Sequence, residues 1–123
     1  MASLFVVTGK ARGNYFVLAD GMVLLGRDEH ADIQIVDELV SRRHLEVTYV
    51  DGEDACRIED LKSANGTFVN DQRVAGEVAL KDGDTIRIGE TTLLYTVKTV
   101  KDLETAMIHI KKRGEHGKGT LIQ

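Results

Sequence analysis

His44-Leu45-Glu46-Val47-Thr48-Tyr49-Val50 runs into Asp51-Gly52-Glu53-Asp54 and then into Ala55-Cys56-Arg57-Ile58-Glu59-Asp60. The first run alternates cleanly, with Leu45, Val47 and Tyr49 on one face, and the second alternates again. A period of two belongs to a half-buried strand, because successive side chains of an extended chain point to opposite sides. The acidic, glycine-containing segment between the runs turns the chain. Two strands with one face in a core follow from these residues alone.

The same signature repeats on both sides of that pair. Upstream lie Leu4-Phe5-Val6-Val7, Tyr15-Phe16-Val17-Leu18, Met22-Val23-Leu24-Leu25 and the short, edge-like Ile33-Gln34-Ile35. Downstream lie Thr67-Phe68-Val69, Glu77-Val78-Ala79-Leu80, Thr85-Ile86-Arg87-Ile88 and Thr92-Leu93-Leu94-Tyr95-Thr96-Val97. Glycine, asparagine and aspartate separate the runs, and the chain has no proline. Many short strands at near-regular spacing predict an all-β fold, an antiparallel β-sandwich of about ten or eleven strands. Residues 1–97 form that sandwich. Residues 98–123 change period: Val100, Leu103, Met107 and Ile110 recur at helical spacing, behind a Thr99-x-x-Asp102 start and ahead of Lys111-Lys112-Arg113 and Gly114. That pattern predicts a short C-terminal helix over about 100–113 and a flexible basic tail.

Composition narrows the function classes. A chain of 123 residues is one domain's worth and buries a core without disulfides or metal. The single Cys56 forms no internal disulfide, and Met1-Ala2-Ser3 has no basic leader region, which together imply a reducing, cytoplasmic setting. No apolar run approaches the length of a membrane span. The net charge of −4 hides a split: residues 1–97 carry 10 Lys/Arg against 17 Asp/Glu, a balance of −7, and residues 98–123 carry 6 against 3, a balance of +3. An acidic body argues against nucleic acid as partner, since such binders need a basic face to displace counterions. His30, Asp32, His109 and His116 lack metal-ligand spacing, so no metal and no cofactor are expected. Cys56 reads as a core residue.

The β-pattern leaves several polar groups unexplained, each at a strand end: Gly26-Arg27, Ser41-Arg42-Arg43-His44, and Asn65-Gly66-Thr67 with Asn70 behind it. Guanidinium forks, a hydroxyl and a carboxamide suit a phosphate dianion and the peptide backbone beside it. Each residue also has a plainer reading. Gly26 lets its loop pass close to a ligand, and Arg27 either grips phosphate or pairs with Asp28 or Glu29. Ser41 either donates to phosphate or bends the turn. Arg42 and Arg43, if extended, point to opposite sides. Ser41 and His44 resemble a nucleophile and base only in name, because no nucleophile elbow and no acid partner accompany them; the expectation is no enzyme activity. Asn65-Gly66 is either a backbone clamp or a hairpin turn.

The four blocks in order resemble the forkhead-associated (FHA) family. The family pattern is Gly-Arg, then Ser-Arg-x-His, then Asn-Gly-x-x-x-Asn, then Leu-x-x-Gly-Asp-x-Ile-x-Ile-Gly. This chain reads Gly26-Arg27, Ser41-Arg42-Arg43-His44, Asn65-Gly66-Thr67-Phe68-Val69-Asn70, and Leu80-Lys81-Asp82-Gly83-Asp84-Thr85-Ile86-Arg87-Ile88-Gly89. The resemblance spans about residues 3–97. It implies a module that binds a phosphothreonine-containing protein or peptide downstream of a Ser/Thr kinase. It implies that Arg27, Ser41 and Arg42 hold the phosphate and Asn65 the peptide backbone, with Arg43 beside them at a variable position whose role is open. Gly26, His44, Gly66 and Asn70 become loop scaffold. One departure stands out: Ala64 replaces the Ser or Thr that many members place before the Asn, and Ser63 lies one residue too early to substitute. Two rivals remain, a phosphate-independent docking or assembly domain, and intramolecular recognition of a tail phosphorylated at Thr99, Thr105 or Thr120.

Overall fold

A computed structural model describes residues 2–53 and 55–97 of the chain. The predicted helix over 100–113 and the tail beyond it lie outside the described residues. Eleven strands form two sheets. In chain order they are β1 (Ala2–Thr8), β2 (Tyr15–Leu18), β3 (Gly21–Gly26), β4 (Ile33–Gln34), β5 (Leu45–Val50), β6 (Ala55–Asp60), β7 (Thr67–Val69), β8 (Gln72–Arg73), β9 (Glu77–Leu80), β10 (Thr85–Ile88) and β11 (Thr91–Thr96). One sheet has the order β2-β1-β11-β10-β7-β8 and the other β4-β3-β5-β6-β9.

The core lies between the sheets and is built by alternation. Leu45, Val47 and Tyr49 of β5 are buried, and so are Cys56 and Ile58 of β6, with Tyr49 opposite Cys56 and Val47 opposite Ile58. From the six-stranded sheet come Leu4, Val6, Ile86, Ile88, Leu93 and Tyr95. Each such side chain contributes on the order of 1.5–3 kcal/mol when buried. Burial also pushes the Cys56 thiol up to about 12, so it is an inert filler of the core.

Three details differ from the sequence reading. β4 runs parallel to β3, not antiparallel. Just before β4 the Asp32 carboxylate accepts the Leu24 N–H (2.7 Å), tying the β3–β4 connection back to β3. Asn65-Gly66 is no hairpin: β6 and β7 belong to different sheets, so this segment carries the chain across the sandwich. The tight hairpin is at Asn70-Asp71, both at positive φ (49° and 70°), which joins β7 to the two-residue β8. Polar Gln72-Arg73 gives no hydrophobic signal, and the sequence reading has no strand there.

Candidate functional site

The polar blocks converge at one end of the sandwich, on the loops β3–β4, β4–β5 and β6–β7. Gly26 starts the assembly. A side chain there would collide with the Arg42 carbonyl, and that close approach lets Arg27 N–H donate to Ser41 O (3.0 Å) and Asp28 N–H to Arg42 O (3.2 Å). The glycine therefore admits the chain's own backbone; the sequence reading had it admitting a ligand. Arg27 Nε donates to the Val40 carbonyl (2.9 Å), and the Gln34 amide donates to Arg27 O (3.1 Å). A guanidinium has five N–H donors, so the Val40 bond fixes its plane and leaves the terminal nitrogens for a ligand.

His44 is fully buried and ties the second loop to the third. Its Nδ1 accepts from the Ser41 backbone N–H (3.0 Å), which places the proton on Nε2, where it donates to the Gly66 carbonyl (2.9 Å). Both ring nitrogens are thereby spent on backbone, and the ring is no base for the Ser41 hydroxyl. Burial favours the neutral ring and holds its pKa below the usual 6.5, against the opposing pull of the Gly66 carbonyl and the Asp60 and Asp37 carboxylates. Asp60 Oδ1 lies 3.8 Å from Nε2.

The Ser41 hydroxyl oxygen accepts from the Ala64 N–H (2.9 Å). That bond uses a lone pair and leaves the hydroxyl proton for an incoming anion. The Asn65 amide nitrogen donates to the Leu39 carbonyl (2.9 Å), so its oxygen and second N–H remain for a peptide backbone. Ala64 and Asn65 are exposed. Gly66, at φ 88°, lies against the Arg73 guanidinium, a conformation and a spacing that suit glycine. Asn70 sits behind the site: its amide donates to Asp84 Oδ1 (2.9 Å) and its oxygen accepts from Thr85 N–H (3.1 Å).

Arg27 and Arg42 share a shallow cleft of about 310 Å³ with Asp28, Glu29 and Gln34. Arg43 is exposed and is not among the residues lining it. Leu39, Val36, Glu38, Lys10 and Glu90 help line a second cleft of about 380 Å³. Among the described residues no cluster of His, Cys, Asp and Glu could hold a metal ion.

Two carboxylates that the sequence reading passed over organise the loops. Asp60 is in phase with Cys56 and Ile58, and so points inward opposite Leu45. It accepts from the Ser63 hydroxyl (2.6 Å), the Ser63 N–H (3.0 Å) and the Thr67 hydroxyl (2.6 Å), and the Ser63 oxygen in turn accepts from Gly66 N–H (2.9 Å). Ser63 is thus committed internally and cannot replace the hydroxyl missing at Ala64. Partial burial raises the Asp60 pKa, but the bonds from Ser63 and Thr67 and the nearby His44 outweigh it and hold the carboxyl below its usual 3.8. Asp37 accepts from Leu39 N–H, Glu90 N–H and the Thr91 hydroxyl, fixing the β4–β5 loop to the β10–β11 turn. Its desolvation is likewise outweighed by those bonds and by Lys10, and its pKa is lowered. The alternation of β6 announces Asp60; nothing periodic announces Asp37.

The FHA domain model matches residues 23–89. The chain is 42% identical over 82 residues to the FHA domain-containing protein FhaA of Mycobacterium tuberculosis, covering 67% of this chain and 15% of that protein. It is 37% identical over 94 residues to the glycogen accumulation regulator GarA of Mycolicibacterium smegmatis, covering 76% of this chain and 58% of that protein. The chain therefore spans well under two thirds of the length of these relatives. Among solved structures, an FHA domain described for phosphothreonine-dependent interactions superposes with a TM-score of 0.71 at 33% identity, over 80% of this chain and 98% of that one. The FhaA FHA domain, complexed with an intracellular domain of another protein, gives 0.70 at 35% identity, over 77% and 99%.

Proposed function

The chain belongs to the FHA domain family, and we propose that it is a phosphothreonine-binding module, not an enzyme, that docks phosphorylated partners of a Ser/Thr kinase pathway. The observation that carries this is the convergence of Arg27, Ser41, Arg42 and Asn65 on loops that backbone bonds already hold in place. Arg27 and Arg42 supply charge, the Ser41 hydroxyl a donor, and Asn65 the grip on backbone next to the phosphothreonine. Residues flanking it lie along the Leu39 cleft. Preformed loops spare the ordering cost that a flexible site incurs on binding. Charge-assisted hydrogen bonds contribute about 1.5–3 kcal/mol each, and ordering the peptide offsets part of the sum. A short phosphopeptide is expected to bind on the order of micromolar, about −8 kcal/mol. Such an affinity suits reversible signalling in the cytoplasm. Among the described residues, no helix is long and apolar enough to cross a membrane.

Matched phosphothreonine, phosphoserine and unphosphorylated peptides test this by calorimetry. Phosphothreonine should bind best, by about 0.8 kcal/mol or somewhat more over phosphoserine, the value of one buried methyl. The unphosphorylated peptide should show no measurable binding. Equal affinity with and without phosphate would favour the docking-domain rival instead.

The exposed Ala64 offers a gain-of-function test. Its N–H already binds the Ser41 hydroxyl, so a hydroxyl on residue 64 starts next to the proposed phosphate position. Ala64→Thr is expected to tighten binding by roughly 0.5–1.5 kcal/mol, up to about tenfold. Weaker binding at an unchanged melting temperature would show that the side chain obstructs the ligand.

A further inference from the structure

Part of the outer face of the six-stranded sheet, on β1 and at the end of β11, is closed to solvent, although the second sheet packs on the opposite face. Along β1, Ala2, Leu4 and Val6 join the core cluster, so Ser3 and Phe5 point outward. Strand pairing sets Val17, Ser3 and Thr96 in one outward row and Tyr15, Phe5 and Leu94 in the next. At the sheet edge the outward residues behave as expected for an open face, with Tyr15 and Val17 at 40% and 51% exposure. On β1 and at the end of β11 they do not: Ser3 is 0%, Phe5 4% and Thr96 3% exposed, with Leu94 half-buried beside them. The Tyr15 ring lies edge-on to Phe5 at 6.2 Å and belongs to the Phe5 row, not to that of Ser3.

Residues 98–123 follow directly from β11, which ends in the first of these rows. They contain one apolar stripe at helical spacing, Val100, Leu103, Met107 and Ile110. We propose that residues 100–113 form an amphipathic helix that docks in cis on this outer face, seating the stripe over Ser3, Phe5, Leu94 and Thr96. Three features fit this occupant. A helix of that span is about 21 Å long at 1.5 Å per residue, and the six residues of β11 cover about 20 Å. The segment 98–123 carries +3 against −7 on residues 1–97, so the two attract. An isolated helix this short is marginal in water and gains its stability from a surface to pack on. With this face occupied by the chain's own helix, a docking function built on it is disfavoured.

Paramagnetic labelling of the full chain tests the proposal. Thr105→Cys, off the apolar stripe, takes a nitroxide while Cys56, buried with its thiol pushed up to about 12, stays unlabelled. Amide signals of β1 and β11 around Phe5 and Leu94 should broaden, and should stay sharp when isotope-labelled unspin-labelled chain is mixed with spin-labelled chain lacking isotope. In the full chain, Leu103→Asp should abolish the broadening and lower the melting temperature by roughly 5–10 °C. Sharp β1 and β11 signals in the labelled chain would overturn the proposal. So would broadening that persists in the mixed sample, which would assign the face to a second copy.

Discussion

Arg27→Ala is expected to weaken phosphothreonine-peptide binding by about a hundredfold or more while leaving the sandwich folded. The variant removes at least two charge-assisted hydrogen bonds to phosphate in the proposed complex, together about 3 kcal/mol or more. Each 1.4 kcal/mol is about tenfold in affinity. Its cost to the fold is smaller. The Nε bond to the Val40 carbonyl is lost, about 1 kcal/mol, which lowers the melting temperature by roughly 4–8 °C in a domain of this size. The loop crossing survives because Arg27 N–H still donates to Ser41 O and Gly26 still admits the Arg42 carbonyl. Arg27→Lys separates charge from geometry: an ammonium keeps the attraction and loses the planar fork, so its affinity should fall between those of wild type and alanine. Calorimetry beside circular dichroism reads both effects. Undiminished binding by the alanine variant would sink the phosphate-site assignment, and a collapsed fold would make Arg27 a structural residue.

Much of this architecture is legible in the sequence because it obeys one rule repeatedly. The alternation of Leu45, Val47 and Tyr49 against Cys56 and Ile58 fixes which face enters the core, and the structure buries all five. Where the chain departs from period two, legibility falls. β8 is two polar residues held by a turn, and its only sequence signal is the Asn70-Asp71 pair ahead of it. The parallel pairing of β4 comes with a contact no periodicity encodes, the Asp32 carboxylate reaching a strand amide at Leu24. The site shows the same division. Arg27, Ser41, His44 and Asn65 stand out because the β-pattern has no use for them. Asp60 was readable from its phase in β6, since a carboxylate on the core face must be hydrogen-bonded, and it takes three bonds from Ser63 and Thr67. Asp37 joins loops about fifty residues apart in sequence, and only the fold brings Glu90 and Thr91 to it.

His44 should make this protein lose stability as pH falls below about 6.5, and its replacement should cost more than that of any loop residue. In the unfolded chain its ring takes up a proton near 6.5; in the fold, burial holds the value lower. Between those two pH values the unfolded state binds more protons, so stability falls with falling pH, by up to about 1.4 kcal/mol per unit. Below the folded value the loss levels off. A second window opens beneath 3.8, where Asp37 and Asp60, both lowered in the fold, take up protons first in the unfolded chain. Protonation of the folded ring, below its lowered value, also removes the Nδ1 acceptor from the Ser41 N–H, so the loop that carries the Ser41 hydroxyl loosens there. His44→Ala strands two buried backbone groups, Ser41 N–H and Gly66 C=O, and leaves a cavity; about 3–5 kcal/mol of destabilisation is expected, with loss of peptide binding. His44→Gln keeps a polar side chain and cannot titrate, so its stability should be flat from pH 7 to 5 while the wild type declines. Denaturant melts of the two proteins at several pH values decide the matter. A wild-type curve as flat as that of the glutamine variant would show that burial does not lower the ring's pKa in the fold.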